Sequence, residues 1–174
     1  MTTKKISVSD RAMTADLPGL ERRRALIAAV AASFGLEPAV AAGVVSRESG
    51  GGRLLGQNGC PPDTGDRGHG RGLMQIDDRW HRGFIGLGEL WRAPAANLAY
   101  GCHLLAQYRE ALRKRLPGLT EEELLRAALA AYNSGTESAE RLLRAGGDPD
   151  AGTTGGNYGQ DVLARAEWLR ARGW

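Results

Sequence analysis

Apolar residues recur at helical spacing through most of the chain, and one long interruption falls in its first half. Leu26, Ile27, Val30 and Phe34 share a face of a helix predicted over Leu20–Phe34, with Gly35 as its stop. Glu37-Pro38 opens a second helix, proline suiting its first turn, and Val40, Val44 and Val45 carry its buried stripe towards Glu48. The pattern returns after Pro94. Leu98, Cys102, Leu105 and Leu112 mark a face that runs to Leu116, where Pro117-Gly118 breaks it. Thr120-Glu121-Glu122-Glu123 has the form of a capping box and leads into Leu124–Asn133, nearly all apolar past Arg126 and so read as the central helix. A short helix is predicted over Glu137–Leu143 and a last one over Asn157–Arg170.

The interruption runs from Ser49 to Arg71. It holds Gly50-Gly51-Gly52, Asn58-Gly59, Pro61-Pro62 and a glycine-alternating stretch from Gly65 to Gly72. Irregular segments longer than about 12–15 residues are uncommon in compact domains and are usually functional. Leu73–Asp77 then alternates and reads as a short edge strand. A second glycine-rich loop covers Gly146–Gly156. Residues 1–17 are polar and read as a loose N-terminal arm, leaving residues 18–174 as one catalytic domain.

Composition narrows the function. Charged residues are 25% of the chain and the formal net charge is only +3, so no nucleic-acid-binding tail is present. The basic runs fall on helical segments and read as solvated faces. No stretch approaches the ~20 apolar residues of a membrane span. Two lysines follow the start without an apolar region behind them, so no signal peptide is visible. Cys60 and Cys102 are the two cysteines, and their spacing does not say whether they pair. With three histidines and no metal-ligand spacing, no metal or cofactor is expected.

Counting back three, four and seven residues from Glu48 gives Val45, Val44 and Ala41. Glu48 therefore continues the apolar face, where lost hydration raises a carboxyl pKa towards that of a general acid. The alternative is an ordinary helix-terminal glutamate paired with an arginine. The three glycines after it are read as leaving room for a bulky substrate. Asp63, Asp66, Asp77 and Asp78 lie in or just beyond the long loop. Glycoside hydrolysis commonly needs one protonated and one ionised carboxyl group, although any one of these aspartates alone reads as a turn residue.

Taken in order, these stretches resemble the goose-type lysozyme family and its relatives among bacterial lytic transglycosylases and goose-type-like chitinases. The likeness rests on Glu37-Pro38-Ala39-Val40, Ser46-Arg47-Glu48-Ser49, Gly65-Asp66-Arg67-Gly68, Gly72–Asp77, Ala131-Tyr132-Asn133-Ser134-Gly135, Thr153-Thr154-Gly155, Asn157-Tyr158 and Ala164-Arg165-Ala166. It implies a mainly α, lysozyme-like α+β domain with six or more helices and a very small antiparallel sheet beside the cleft. It also implies Glu48 as catalytic acid, and Asp66 and Asp77 as the aspartates that direct water, Asp77 with the larger part. Gln75, His81, Tyr132, Asn133 and Tyr158 are implied as substrate-binding residues, although His81 also reads as a structural histidine and Tyr132 as a core tyrosine.

The implied reaction is hydrolysis of the β-1,4 linkage between N-acetylmuramic acid and N-acetylglucosamine in peptidoglycan, with inversion. The partner is then peptidoglycan or a chitin-type polysaccharide, with a proteinaceous lysozyme inhibitor as a second partner, and the protein acts as a monomer. The setting such a substrate implies is secreted, periplasmic or released by lysis. Chitinase and lytic transglycosylase activity are the alternatives, and a non-catalytic carbohydrate-binding protein is a third. The chain departs from the avian pattern in lacking its cysteines and in a longer loop through Cys60-Pro61-Pro62-Asp63-Thr64, where Asp63 is an additional acid.

Overall fold

The computed structural model describes residues 7–174. In chain order, α1 (Asp10–Glu21), α2 (Arg24–Ser33) and α3 (Pro38–Ser49) precede three two-residue strands, β1 (Thr64–Gly65), β2 (Gly70–Arg71) and β3 (Ile76–Asp77). The chain continues through α4 (Arg82–Ile85), α5 (Pro94–Arg115), α6 (Glu121–Ser134), α7 (Thr136–Arg144) and α8 (Tyr158–Arg170). The fold is thus mainly α, with a small antiparallel sheet in the order β1-β2-β3. Among the described residues no single helix is long and apolar enough to cross a membrane. Residues Val8–Cys102 and Arg165–Trp174 form one compact unit, and His103–Ala164 belong to another.

In the first unit, α3 is core on nearly every side: Ala39 to Ser46 are all buried. Val40, Val44 and Val45 each contribute about 1.5–3 kcal/mol by leaving water. Met13 and Leu20 of α1 and Ile27 and Ala31 of α2 are buried in the same unit.

The expected loose arm over residues 1–17 is, from Asp10 onward, helix α1, with Pro18 inside it; residues 1–6 lie outside the described residues. The cause is visible at Asp16, which is 2% exposed. It accepts hydrogen bonds from Ser46 Oγ on α3 (2.8 Å) and from Arg53 (2.8 Å). A buried carboxylate persists only when it is paired in this way. The helix predicted over Leu20–Phe34 is correspondingly broken, at Arg22 and Arg23, between α1 and α2.

The glycines after Glu48 also serve α1. Gly50 caps α3 at φ 58°, donating to Ser46 O. A Cβ on Gly51 would lie 2.5 Å from Asp16 O, and one on Gly19 would lie 2.2 Å from Gly51 O. The close approach of two backbones, rather than room for substrate, accounts for Gly51, which is buried.

In the second unit the capping box at Thr120 and Glu123 forms as the sequence predicts. The Gly146–Gly156 loop is less irregular than expected, for it folds into two 3-10 turns, Pro149–Gly152 and Thr154–Gly156. Asp150, fully buried, accepts from Arg126 Nε of α6 (3.0 Å) and from the backbone N–H groups of Gly159 (2.5 Å) and Gln160 (3.2 Å) at the start of α8.

Candidate active site

Glu48 is the penultimate residue of α3 and is half-buried. Its neighbour Ser49, 1% exposed, fixes that helix end. Ser49 Oγ lies 2.8 Å from Leu73 O and 3.1 Å from Val45 O, and it accepts from Gly52 N at 3.1 Å. The helix end that carries Glu48 is therefore tied to the turn that leads into β3.

That turn is held from its other side by Asn97 of α5, 1% exposed. Its Oδ1 accepts from Met74 N (2.9 Å) and its Nδ2 donates to Arg71 O (2.9 Å). Gln75 closes the turn at φ 47° and donates to Gly72 O (2.8 Å). Its amide oxygen lies 2.2 Å from where a Cβ of either Gly65 or Gly70 would be. Both glycines are needed for Gln75 to lie across the sheet, so part of the hydrogen-bonding capacity of this expected substrate ligand is used internally.

The register aligns Gly65 with Gly70 and Gly70 with Asp77. Asp77 ends β3, and Asp66 follows Gly65 directly. Asp66 and Arg67 both adopt positive φ, 44° and 56°. Such non-glycine backbone costs on the order of 1–3 kcal/mol and clusters at functional sites. Arg79 joins the two aspartates. Its Nε lies 2.9 Å from Asp77 Oδ1, and its Nη2 lies 2.5 Å from Asp77 Oδ2 and 3.1 Å from Asp66 Oδ2. The Arg79 backbone N–H also donates to Asp77 Oδ1 at 2.8 Å.

These bonds set the charge. The Arg79 guanidinium hydrogen-bonded to Asp77 outweighs partial burial and holds the Asp77 carboxyl below the usual carboxylate range, with a smaller pull from His69. Asp77 is therefore an anion across the neutral range. Asp78, by contrast, is structural. Burial pushes its carboxyl up, but hydrogen bonds from His69 Nδ1 (2.9 Å) and Arg71 (2.5 Å) outweigh this and leave it below the usual range. His81 Nδ1 lies 3.2 Å from the Tyr100 hydroxyl, and burial lowers the His81 pKa, opposed in part by Asp77. Tyr100 in turn stacks on Phe84 with ring centres 4.0 Å apart.

Asp63, the additional acid of the longer loop, is engaged by Arg92 (2.9 Å), which also donates to Pro62 O (3.2 Å). Trp91, 5% exposed, has the guanidinium groups of Arg71 and Arg92 at 5.1 and 4.5 Å from its ring centre. The loop is thus latched to the segment that precedes α5. Both cysteines are free, Cys102 being buried with its thiol pushed up to about 12.

The remaining expected residues belong to the second unit. Asn133 Oδ1 accepts from Thr154 N (2.8 Å) and ties the end of α6 to the glycine-rich loop. Tyr132 is half-buried and stacks with Tyr158, ring centres 6.4 Å apart. Tyr158 is 2% exposed, so its ring is buried beside Tyr132 rather than open for a sugar to stack on.

Sequence reasoning missed Arg79. The signal was local: Asp77-Asp78-Arg79 closes a strand with an arginine two residues after a carboxylate, within reach of a turn that bends back.

A family model described as Lysozyme g matches residues 1–173. Lysozyme g of Struthio camelus is 36% identical over 169 residues, covering 97% of this chain and 76% of its own length. Lysozyme g of Epinephelus coioides is 32% identical over 155 residues, covering 88% and 77%. A glycine, glutamate and proline-rich protein of Lottia gigantea is 31% identical over 176 residues, covering 97% of this chain but 39% of itself.

Proposed function

Since the chain belongs to the lysozyme g family and is a lysozyme-type glycosidase, we propose that it hydrolyses the β-1,4 linkage between N-acetylmuramic acid and N-acetylglucosamine in peptidoglycan, with inversion. The observation that carries this reading is the Arg79-held pair of Asp66 and Asp77, an anionic site on the sheet separate from the glutamate at the end of α3.

Glu48 protonates the glycosidic oxygen as the bond breaks. Asp77, assisted by Asp66, orients a water molecule and takes its proton as the oxygen attacks the anomeric carbon. The two steps need different protonation states at the same pH, and the ionised Asp77 supplies one of them. No covalent enzyme intermediate forms. A carboxylate pair held for water favours hydrolysis over internal attack by the muramic 6-hydroxyl, which needs no base aimed at water. The net charge of +3 suits an anionic wall polymer. The protein acts outside the cytoplasm, as a monomer.

The test is mass spectrometry of digests of peptidoglycan and of chitin oligosaccharides in heavy-oxygen water. Labelled reducing muropeptides support the proposal. Unlabelled anhydro ends would make the protein a transglycosylase, and labelled products from chitin alone a chitinase. Glu48→Gln is expected to lower turnover by roughly 10²–10⁴-fold, the usual range for a general acid, while oligosaccharide binding persists. Asp77→Asn should be similarly severe. Asp63→Asn should be mild, because this reading gives the Asp63 carboxylate, bonded to Arg92, the part of a loop latch and no step of the reaction.

A further inference from the structure

Arg79 makes no contact that the fold of the sheet requires. The backbone pairing of β1, β2 and β3 is complete without it, and its side chain is 51% exposed. Its donors nevertheless converge on the two aspartates, with Nη2 shared between Asp66 Oδ2 and Asp77 Oδ2. Two carboxylate oxygens at 3.1 and 2.5 Å from one nitrogen lie within roughly 6 Å of each other, where like charges oppose joint ionisation.

We propose that Arg79 is a positioning residue for the reaction: it holds Asp66 and Asp77 together in one geometry, so that both stay available to direct water. This rests on the hydrolytic reading of that pair. Bonds to both oxygens of Asp77 fix the plane of its carboxylate, while the single bond to Asp66 leaves that side chain, 62% exposed, one oxygen for another donor. The other titratable groups facing Asp77 are His69 on the β1–β2 connection, Asp78 beside Arg79, and His81 after the turn. Of these, His69 draws Asp77 in the same direction as Arg79, but less strongly.

The experiment compares wild type, Arg79→Gln, Arg79→Lys and His69→Gln in two ways. In the first, kcat/KM on peptidoglycan is followed against pH. Loss of the guanidinium lets Asp77 hold its proton to higher pH, so the acidic limb of Arg79→Gln should move upward. Arg79→Lys should restore part of the shift, since it keeps the charge but not the fork, and His69→Gln should move the limb less. In the second, the carboxyl carbons of Asp66 and Asp77 are titrated by NMR in a Glu48→Gln background, where no turnover is needed. The Asp77 midpoint should rise in Arg79→Gln. A fall in kcat with the limb and the Asp77 midpoint unmoved would make Arg79 merely structural and overturn the proposal. A raised Asp77 midpoint in a protein that releases no labelled muropeptide would keep the Arg79 assignment and defeat the hydrolytic reading instead.

Discussion

Gly19→Ala separates two arguments by sign. Gly19 lies inside α1, where alanine is the better helix former by about 1 kcal/mol. Propensity alone therefore predicts a gain. The structure predicts a loss, because a Cβ on Gly19 would sit 2.2 Å from Gly51 O and 3.0 Å from Gly51 C. Both are backbone atoms, so no rotamer change relieves the overlap, and α1 must back away from the end of α3 by roughly 1 Å to reach ordinary contact. Overpacking of this kind costs about 1–3 kcal/mol. Retreat would also stretch the hydrogen bonds from Arg23 to Gly19 O (2.9 Å) and Gly51 O (3.4 Å), and those of Asp16 to Ser46 and Arg53. The net expectation is a loss of up to about 2 kcal/mol after the propensity gain is subtracted. For a chain of this size that is a fall in Tm of up to roughly 8 °C. Gly83→Ala is the control, since nothing lies within 4 Å of its Cβ position, and it should hold or raise Tm. Thermal unfolding followed by circular dichroism decides the matter. A rise in Tm for Gly19→Ala equal to that of the control would refute the close packing of α1 on the glycine run.

Two further expectations follow from titration and thiol chemistry. His81 is held neutral by burial, so its folded-state pKa lies below its unfolded one and the unfolded chain binds the extra proton. Stability contributed by neutral His81 is present above the ordinary histidine range and is lost as pH falls through it; Tm measured from pH 7.5 to 5 should therefore decline less steeply in His81→Gln than in wild type. The two free cysteines predict that reductant leaves Tm unchanged, and that a thiol reagent modifies Cys60 in the native protein but Cys102 only after denaturation.

Most helices were legible because their apolar spacing is a property of the chain itself. The stripe of α3, the capping box of α6 and the breaks at Pro94 and Gly135 mark boundaries that the structure keeps within one or two residues. Helix α1 was not legible, because its burial depends on partners far away in sequence. Asp16 reads as a solvent-facing acid until Ser46 and Arg53 are placed beside it. Gly51, in the middle of the glycine run, was noticed but misread for the same reason: the chain that requires it to be small is α1. Of the candidate site, Glu48, Asp66 and Asp77 were named as candidates by face counting and by resemblance to a family. Arg79 was not, since neither argument looks at which cation joins two anions.

The corner that begins α8 has a kinetic consequence. Its first three amide protons are all held by side chains from an earlier stretch of chain. Tyr158 donates to Thr153 Oγ1, and Gly159 and Gln160 to the two oxygens of Asp150. Only with Asp161, which donates to Asn157 O, does the ladder of the helix itself begin. Exchange of those three protons with solvent is therefore governed by opening of the 150–153 turn rather than by fraying of α8. They should exchange as a group, at one rate, slower than a helix end of this sequence would show in isolation.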